Sequence, residues 1–119
     1  MQKTEDIDNR ERLARFLKVL GDSNRLGIAL SIGKEARSVT EIVRASGLSQ
    51  TLVSFHLRIM REANVVRTER HGHFIYYSLS DTSLLEVLSR LSQMLNGKKL
   101  LMEKTPEPVR RPRLKAWRK

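Results

Sequence analysis

The chain has 119 residues, of which 39% are hydrophobic, and it carries a formal charge of +10. That length supports one small domain with a modest core and leaves little room for a large buried catalytic cleft, so an enzyme is not expected. The lack of cysteine excludes a disulfide framework, a thiolate metal site and a thiol redox switch.

The polar opening "MQKTEDIDNRER" has neither a signal-peptide core nor a transit-peptide composition, and no apolar run approaches the ~20 residues of a membrane span. A cytoplasmic protein without a membrane partner is expected. Leu13, Phe16, Leu17 and Leu20 then recur at i, i+3, i+4 and i+7. Asp8 and Glu11 precede them in capping-box spacing, and Gly21 follows, which predicts a first helix over 9–20. Asp22 or Ser23 caps a second helix bearing Leu26, Ala29 and Leu30 and stopping near Gly33. The polar "GKEARS" reads as a loop. Ser38 and Glu41 repeat the capping-box spacing ahead of Val39, Ile42 and Val43, and this short helix ends at Ser46 and Gly47.

From Gly47 the stretch "GLSQTLVSFHLRIMREANVV" begins with a turn and continues as a helix capped by Ser49 and running to about Ala63. At 100° per residue Val53, Leu57 and Met60 form the core-facing stripe, with Thr51, Ser54, Phe55 and Arg58 opposite. A short helix, a Gly-containing turn and a second helix with a small polar N-terminus and a mixed exposed face match a helix-turn-helix. Small residues let the backbone approach a DNA groove, and the helix N-terminus favours phosphate. Gln50, Thr51, Ser54 and Phe55 are therefore the expected base contacts. For Phe55 two readings stand: contact with a thymine methyl, or an apolar patch with Leu52 and Ile59 packed under the next element.

In "VVRTERHGHFIYYSLSD" two β-rich runs flank a tight turn at His71-Gly72, forming a wing. Arg67, Arg70, His71 and His73 gather at its tip, and together with Ser49, His56 and Arg58 they make up the expected contacts to the DNA backbone. For His56, on the flank of the helix, packing or a base or phosphate contact outranks metal ligation, which requires partners not evident here. Tyr76 and Tyr77 alternate across a strand and serve packing. Asp81 caps a last helix with Leu84, Leu88, Leu91 and Leu95 as its stripe, widened by Leu85 and Met94. Leu13, Phe16, Leu17, Leu84, Leu88, Leu91 and Leu95 are expected to bury a homodimer surface across a two-fold axis.

These words, "LGDSNRLGIAL", "GLSQTLVSFHLRIMREANVV" and "RHGHFIYYSLSD", resemble in order and spacing the ArsR/SmtB winged helix-turn-helix repressors over roughly residues 10–95. The resemblance implies a mainly α fold of about five helices with a two-stranded β-hairpin wing. It also implies a homodimer that represses a near-palindromic double-stranded DNA operator. Many members of that family sense metal through a Cys-x-Cys pair or through last-helix ligands. The matching positions here are Ser38 and Thr40, and Asp81, Ser83, Met94 and Gly97. Zinc needs about four N, S or O ligands in a closed site, so no metal and no cofactor are expected.

Residues 1–97 form the expected domain, and 98–119 a basic tail. The tail, "KKLLMEKTPEPVRRPRLKAWRK", carries nine Lys and Arg against two Glu, with three prolines. It reads as a solvated arm that an acidic polymer attracts, or as a solubilising terminus with no partner. The competing function is accordingly a basic winged-helix module that holds RNA or an acidic protein partner.

Overall fold

The computed structural model describes residues 2–96, with side chains from residue 8 onward; the basic tail lies outside the described residues. Five helices and a small sheet follow in chain order: α1 (Gln2–Leu20), α2 (Ser23–Ile32), β1 (Arg37–Ser38), α3 (Val39–Ser46), α4 (Gln50–Glu62), β2 (Val66–His71), β3 (Phe74–Leu79) and α5 (Ser83–Asn96). This is a winged helix-turn-helix.

The caps come from short polar side chains at the places the spacing marks. Asp22 Oδ1 accepts from the Asn24 and Arg25 amides at 2.8 and 3.1 Å, holding four-residue-deep donors that the helix cannot satisfy itself. At α3 the box closes both ways: the Glu41 amide donates to Ser38 Oγ at 3.2 Å, and the Ser38 amide donates to Glu41 Oε1 at 2.9 Å. Gly47 ends α3 at φ 76°, ψ 4°, a left-handed conformation costly for other L-residues, and its amide bonds Val43 O at 2.9 Å. Ser49 then accepts from the Leu52 amide at 3.1 Å and starts α4.

Four local expectations are corrected. The first helix starts at Gln2, not residue 9, so Asp8 and Glu11 lie within it rather than at its cap. No Gly or Pro interrupts residues 2–20, and the acidic residues near the start suit the positive end of the helix dipole. The "GKEARS" segment is not all loop, because Arg37 and Ser38 pair antiparallel with Tyr77 and Tyr76 of β3. The wing therefore belongs to a three-stranded sheet of order β1-β3-β2, not two strands alone. A two-residue strand has no period to read; β3 recruits it to satisfy its second edge. The hairpin turn is Gly72-His73, one residue beyond the expected place, because His71 pairs with Phe74. Gly72 has φ 66° whereas His73 has no positive φ, the pattern of a type II′ turn that demands glycine at its first central position.

The core lies where α2, α3 and α4 meet the base of the sheet. Ile28, Ile32, Ile42, Val53, Leu57 and Met60 are all 0% exposed. Each such side chain contributes about 1.5–3 kcal/mol of burial. Leu85 of α5 and Leu20 of α1 close the cluster.

Ser38→Ala removes one half of the capping box at the helix that precedes the turn. A loss of about 1 kcal/mol in urea unfolding is expected, with most of it retained by Ser38→Thr; Leu57→Ala, in the core, is expected to cost about 2–5 kcal/mol.

Candidate nucleic-acid interface

The helix-turn-helix presents α4 edge-on. Val53, Leu57 and Met60 fix its inner side, and Gln50, Thr51, Ser54, Phe55 and Arg58 are exposed on the outer one. No Asp or Glu occurs in α4 before Glu62, so phosphate meets no carboxylate along three turns of helix. Arg58 and Glu62 approach at 3.7 Å with both side chains more than two-thirds exposed. Such a solvated pair is worth little and exchanges readily for a phosphate contact.

Phe55 is 55% exposed and Leu52 40%, so the ring does not sit under the wing. Its edge meets the His56 ring, with centroids 5.1 Å apart and planes at 73°. His56 itself is not on the outer face. It is 5% exposed, and its Nδ1 lies 3.1 Å from Arg25 Nη1. Arginine can only donate, so the imidazole accepts at Nδ1 and carries its proton on Nε2. Arg25 also donates from Nε to the carbonyl of Val19, tying the end of α1, the start of α2 and the middle of α4 together. The structure places the His56 ring on the buried side of α4, against Arg25, rather than with the exposed residues of the outer face. The sequence signal was the Arg in "DSNRL", but its partner stands 31 positions away.

At the wing, Arg67, Arg70 and His73 are exposed. His71 is half-buried in β2: its Nε2 lies 3.2 Å from Glu69 Oε2, without the alignment of a hydrogen bond, and its ring is edge-on to Tyr76 at 6.0 Å. It lies on the same side of the strand as Glu69 and Arg67, beside the turn. Ser49, spent on its cap, still has an exposed hydroxyl. Among the described residues no group of three or more His, Asp or Glu is placed to hold a metal ion. Ser38 is occupied as a cap, and Asp81 Oδ1 accepts from the amide and hydroxyl of Ser83 at 2.9 and 2.7 Å. The Gly97 position of the family's last-helix site lies outside the described residues. No described helix is long and apolar enough to cross a membrane.

A buried-backed helix behind a glycine turn, flanked by a wing, is the architecture of a winged helix-turn-helix DNA-binding protein. Residues 22–68, from the second helix through the first wing strand, match the family described as "Bacterial regulatory protein, arsR family". Nodulation protein NolR of Rhizobium meliloti is 34% identical over 102 residues, which cover 86% of this chain and 84% of NolR. The transcriptional repressor SmtB homolog of Synechocystis is 28% identical over 75% of this chain and 67% of its own. The crystal structure of NolR from Sinorhizobium fredii superposes with a TM-score of 0.67 at 35% identity, covering 79% of this chain and 93% of that one. The chain belongs to the ArsR family, and it is a DNA-binding transcriptional regulator.

The Asp22 carboxyl is held below the ordinary carboxylate range, chiefly by the hydrogen bond from the Arg25 amide and then by that from Asn24. A depressed folded-state value means that the cap's stabilisation is complete above the unfolded value of about 4 and is lost as pH falls through the lower, folded one. Asp22→Asn, which keeps an accepting oxygen, should flatten the decline of the urea midpoint below about pH 4 and leave its neutral-pH value nearly unchanged.

Proposed function

We propose that the protein is a homodimeric repressor that seats two α4 helices in successive major grooves of a near-palindromic operator. The observation that carries this reading is the acid-free outer face of α4, which shows Gln50, Thr51, Ser54 and Phe55 to solvent while the opposite side is fully buried. Gln50 bonds adenine bidentately, Thr51 and Phe55 meet thymine methyls, and Ser54 accepts or donates to either base. Ser49, Arg58, Arg67, Arg70 and His73 hold phosphates and set the register. A repressor works in this arrangement by occupancy: two half-sites about 34–36 Å apart, or a multiple of that, are covered at once.

The dimer surface is the outer side of α1 and α5. Leu13 and Leu17 are 57% and 50% exposed, and Leu91 and Leu95 are 42% and 84% exposed, with Val87 and Met94 extending the patch. So much exposed aliphatic surface on these two helices is available to be covered, and a second copy supplies the same surface in return. Burial divides the expected interface set. Leu88 is 9% exposed and Leu84 and Phe16 pack against the core, so these three support the surface from within the protomer.

Two experiments test the two halves of the reading. Selection from random duplex at physiological salt should yield an operator preferred over scrambled duplex by about 10³-fold or more. Gln50→Ala should then lose about 1–3 kcal/mol on that operator and relax preference at one position. A basic module holding RNA or an acidic partner through residues 98–119 would show no such preference, and equal weakening on operator and random DNA would remove Gln50 from base contact. For assembly, Leu91→Glu with Leu95→Glu should sediment as a folded monomer, because both side chains are exposed in the protomer. Leu88→Glu should instead unfold it, by placing a charge in the core. A dimer surviving the double substitution would place the interface elsewhere.

A further inference from the structure

Beside the C-terminal end of α4, a recess of about 930 Å³ opens between that helix, α1 and the start of α2. Its apolar part is built by Phe16 and Val19 of α1 with Ile59 of α4 and Ala63 just beyond it, and Leu13, at the edge, is shared with the proposed dimer surface. Its rim is cationic: Arg12, Arg15 and Lys18 stand on successive turns of α1, and Arg25 enters from α2. Among the described lining residues Glu62 is the one carboxylate, and it approaches Arg58 instead. Among the described residues Arg12, Arg15 and Lys18 make no ion pair. Like charges three residues apart on a helix repel by a few tenths of a kcal/mol per pair. An anion on the rim reverses that cost, and an apolar body on the floor covers aliphatic surface that water otherwise wets. The volume suits a small molecule, and the lining joins five apolar residues to a largely cationic polar set, which fits a ligand with an apolar body and an anionic head.

We propose that this recess binds an amphipathic organic monocarboxylate and that its occupation loosens α4 on DNA; the second part rests on the operator-binding reading above. The link is Arg25. Arg25 lines the recess, its guanidinium donates to His56 Nδ1, and the His56 ring is the edge-on neighbour of Phe55 on the outer face. A carboxylate is a stronger acceptor for guanidinium than a neutral imidazole. A ligand that takes Arg25 therefore frees His56, and with it the support behind Phe55. A ligand that favours the released arrangement must lower DNA affinity by the same factor by which DNA lowers its own.

The test is calorimetry on the full-length protein with decanoate below its micelle concentration, with 1-decanol and inorganic phosphate as the neutral and the purely ionic comparison. Saturable decanoate binding is expected, at least tenfold tighter than either comparison. It should weaken at least tenfold in Arg12→Gln/Arg15→Gln/Lys18→Gln and stay unchanged in Arg90→Gln, an exposed substitution on α5. Saturating decanoate should lower operator affinity at least fivefold in the wild type and not in the triple variant, and the 15N resonance of His56 Nδ1 should move in the wild type. No saturable binding, or equal binding of phosphate and decanoate, overturns the site. Loss of DNA affinity in the triple variant without decanoate also overturns it, since the rim would then be a phosphate contact. Binding with unchanged operator affinity overturns the coupling. Decanoate binding by a chain with no operator preference upholds the site and refutes the operator reading on which release depends.

Discussion

A helix that buries one side completely has no freedom in what it shows on the other. Val53, Leu57 and Met60 are fully enclosed by Ile28, Ile32 and Ile42 and the base of the sheet, and rotating α4 by one residue would drive a polar or charged side chain into that enclosure. Burying such a group without a partner costs several times what a surface contact returns. The orientation of Gln50, Thr51, Ser54 and Phe55 is thus decided by residues on the buried side of the helix. Preorganisation of this kind spares the ordering cost that a flexible reading segment would bear on binding.

The remaining degrees of freedom of α4, its tilt and its distance from α3, are held by short-range chemistry. Ser38 and Glu41 hold the start of α3, Gly47 turns the chain in the left-handed region, and Ser49 restarts it. Two caps, built from three polar side chains, and one glycine therefore set the angle between two helices. Arg25 adds a bond across the fold, joining the carbonyl of Val19 and the ring of His56. It is one polar tie among apolar contacts.

The outer sides of α1 and α5 follow a different rule. Their inner residues, Leu20, Leu85 and Leu88, complete the protomer, while Leu13, Leu17, Leu91 and Leu95 remain exposed although their side chains are as apolar. A leucine stripe wider than the helix can bury against its own domain has apolar area to offer to a second surface. The core and the exposed apolar surface are therefore successive parts of the same stripes, separated by about one helical turn.

Periodicity, caps and turn residues determined the helices that matter for reading DNA: the buried stripe of α4, the Ser38–Glu41 box, the Gly47 turn and the outward face from Gln50 to Arg58 were all legible, because each arises from contacts within a few residues. The same local signals located a wing and a last amphipathic helix. What they did not contain is any partner distant in the chain. Only the tertiary structure paired Arg37 and Ser38 with Tyr77 and Tyr76, since a two-residue strand has no pattern of its own. It alone moved the turn to Gly72-His73 and so turned His71 toward Glu69, because strand register is a property of two segments together. It withdrew His56 from the surface to Arg25, 31 residues earlier. It also separated Leu88 from Leu91 and Leu95, because a helical stripe states which residues are apolar, whereas the depth of each is set by what the rest of the fold places against it.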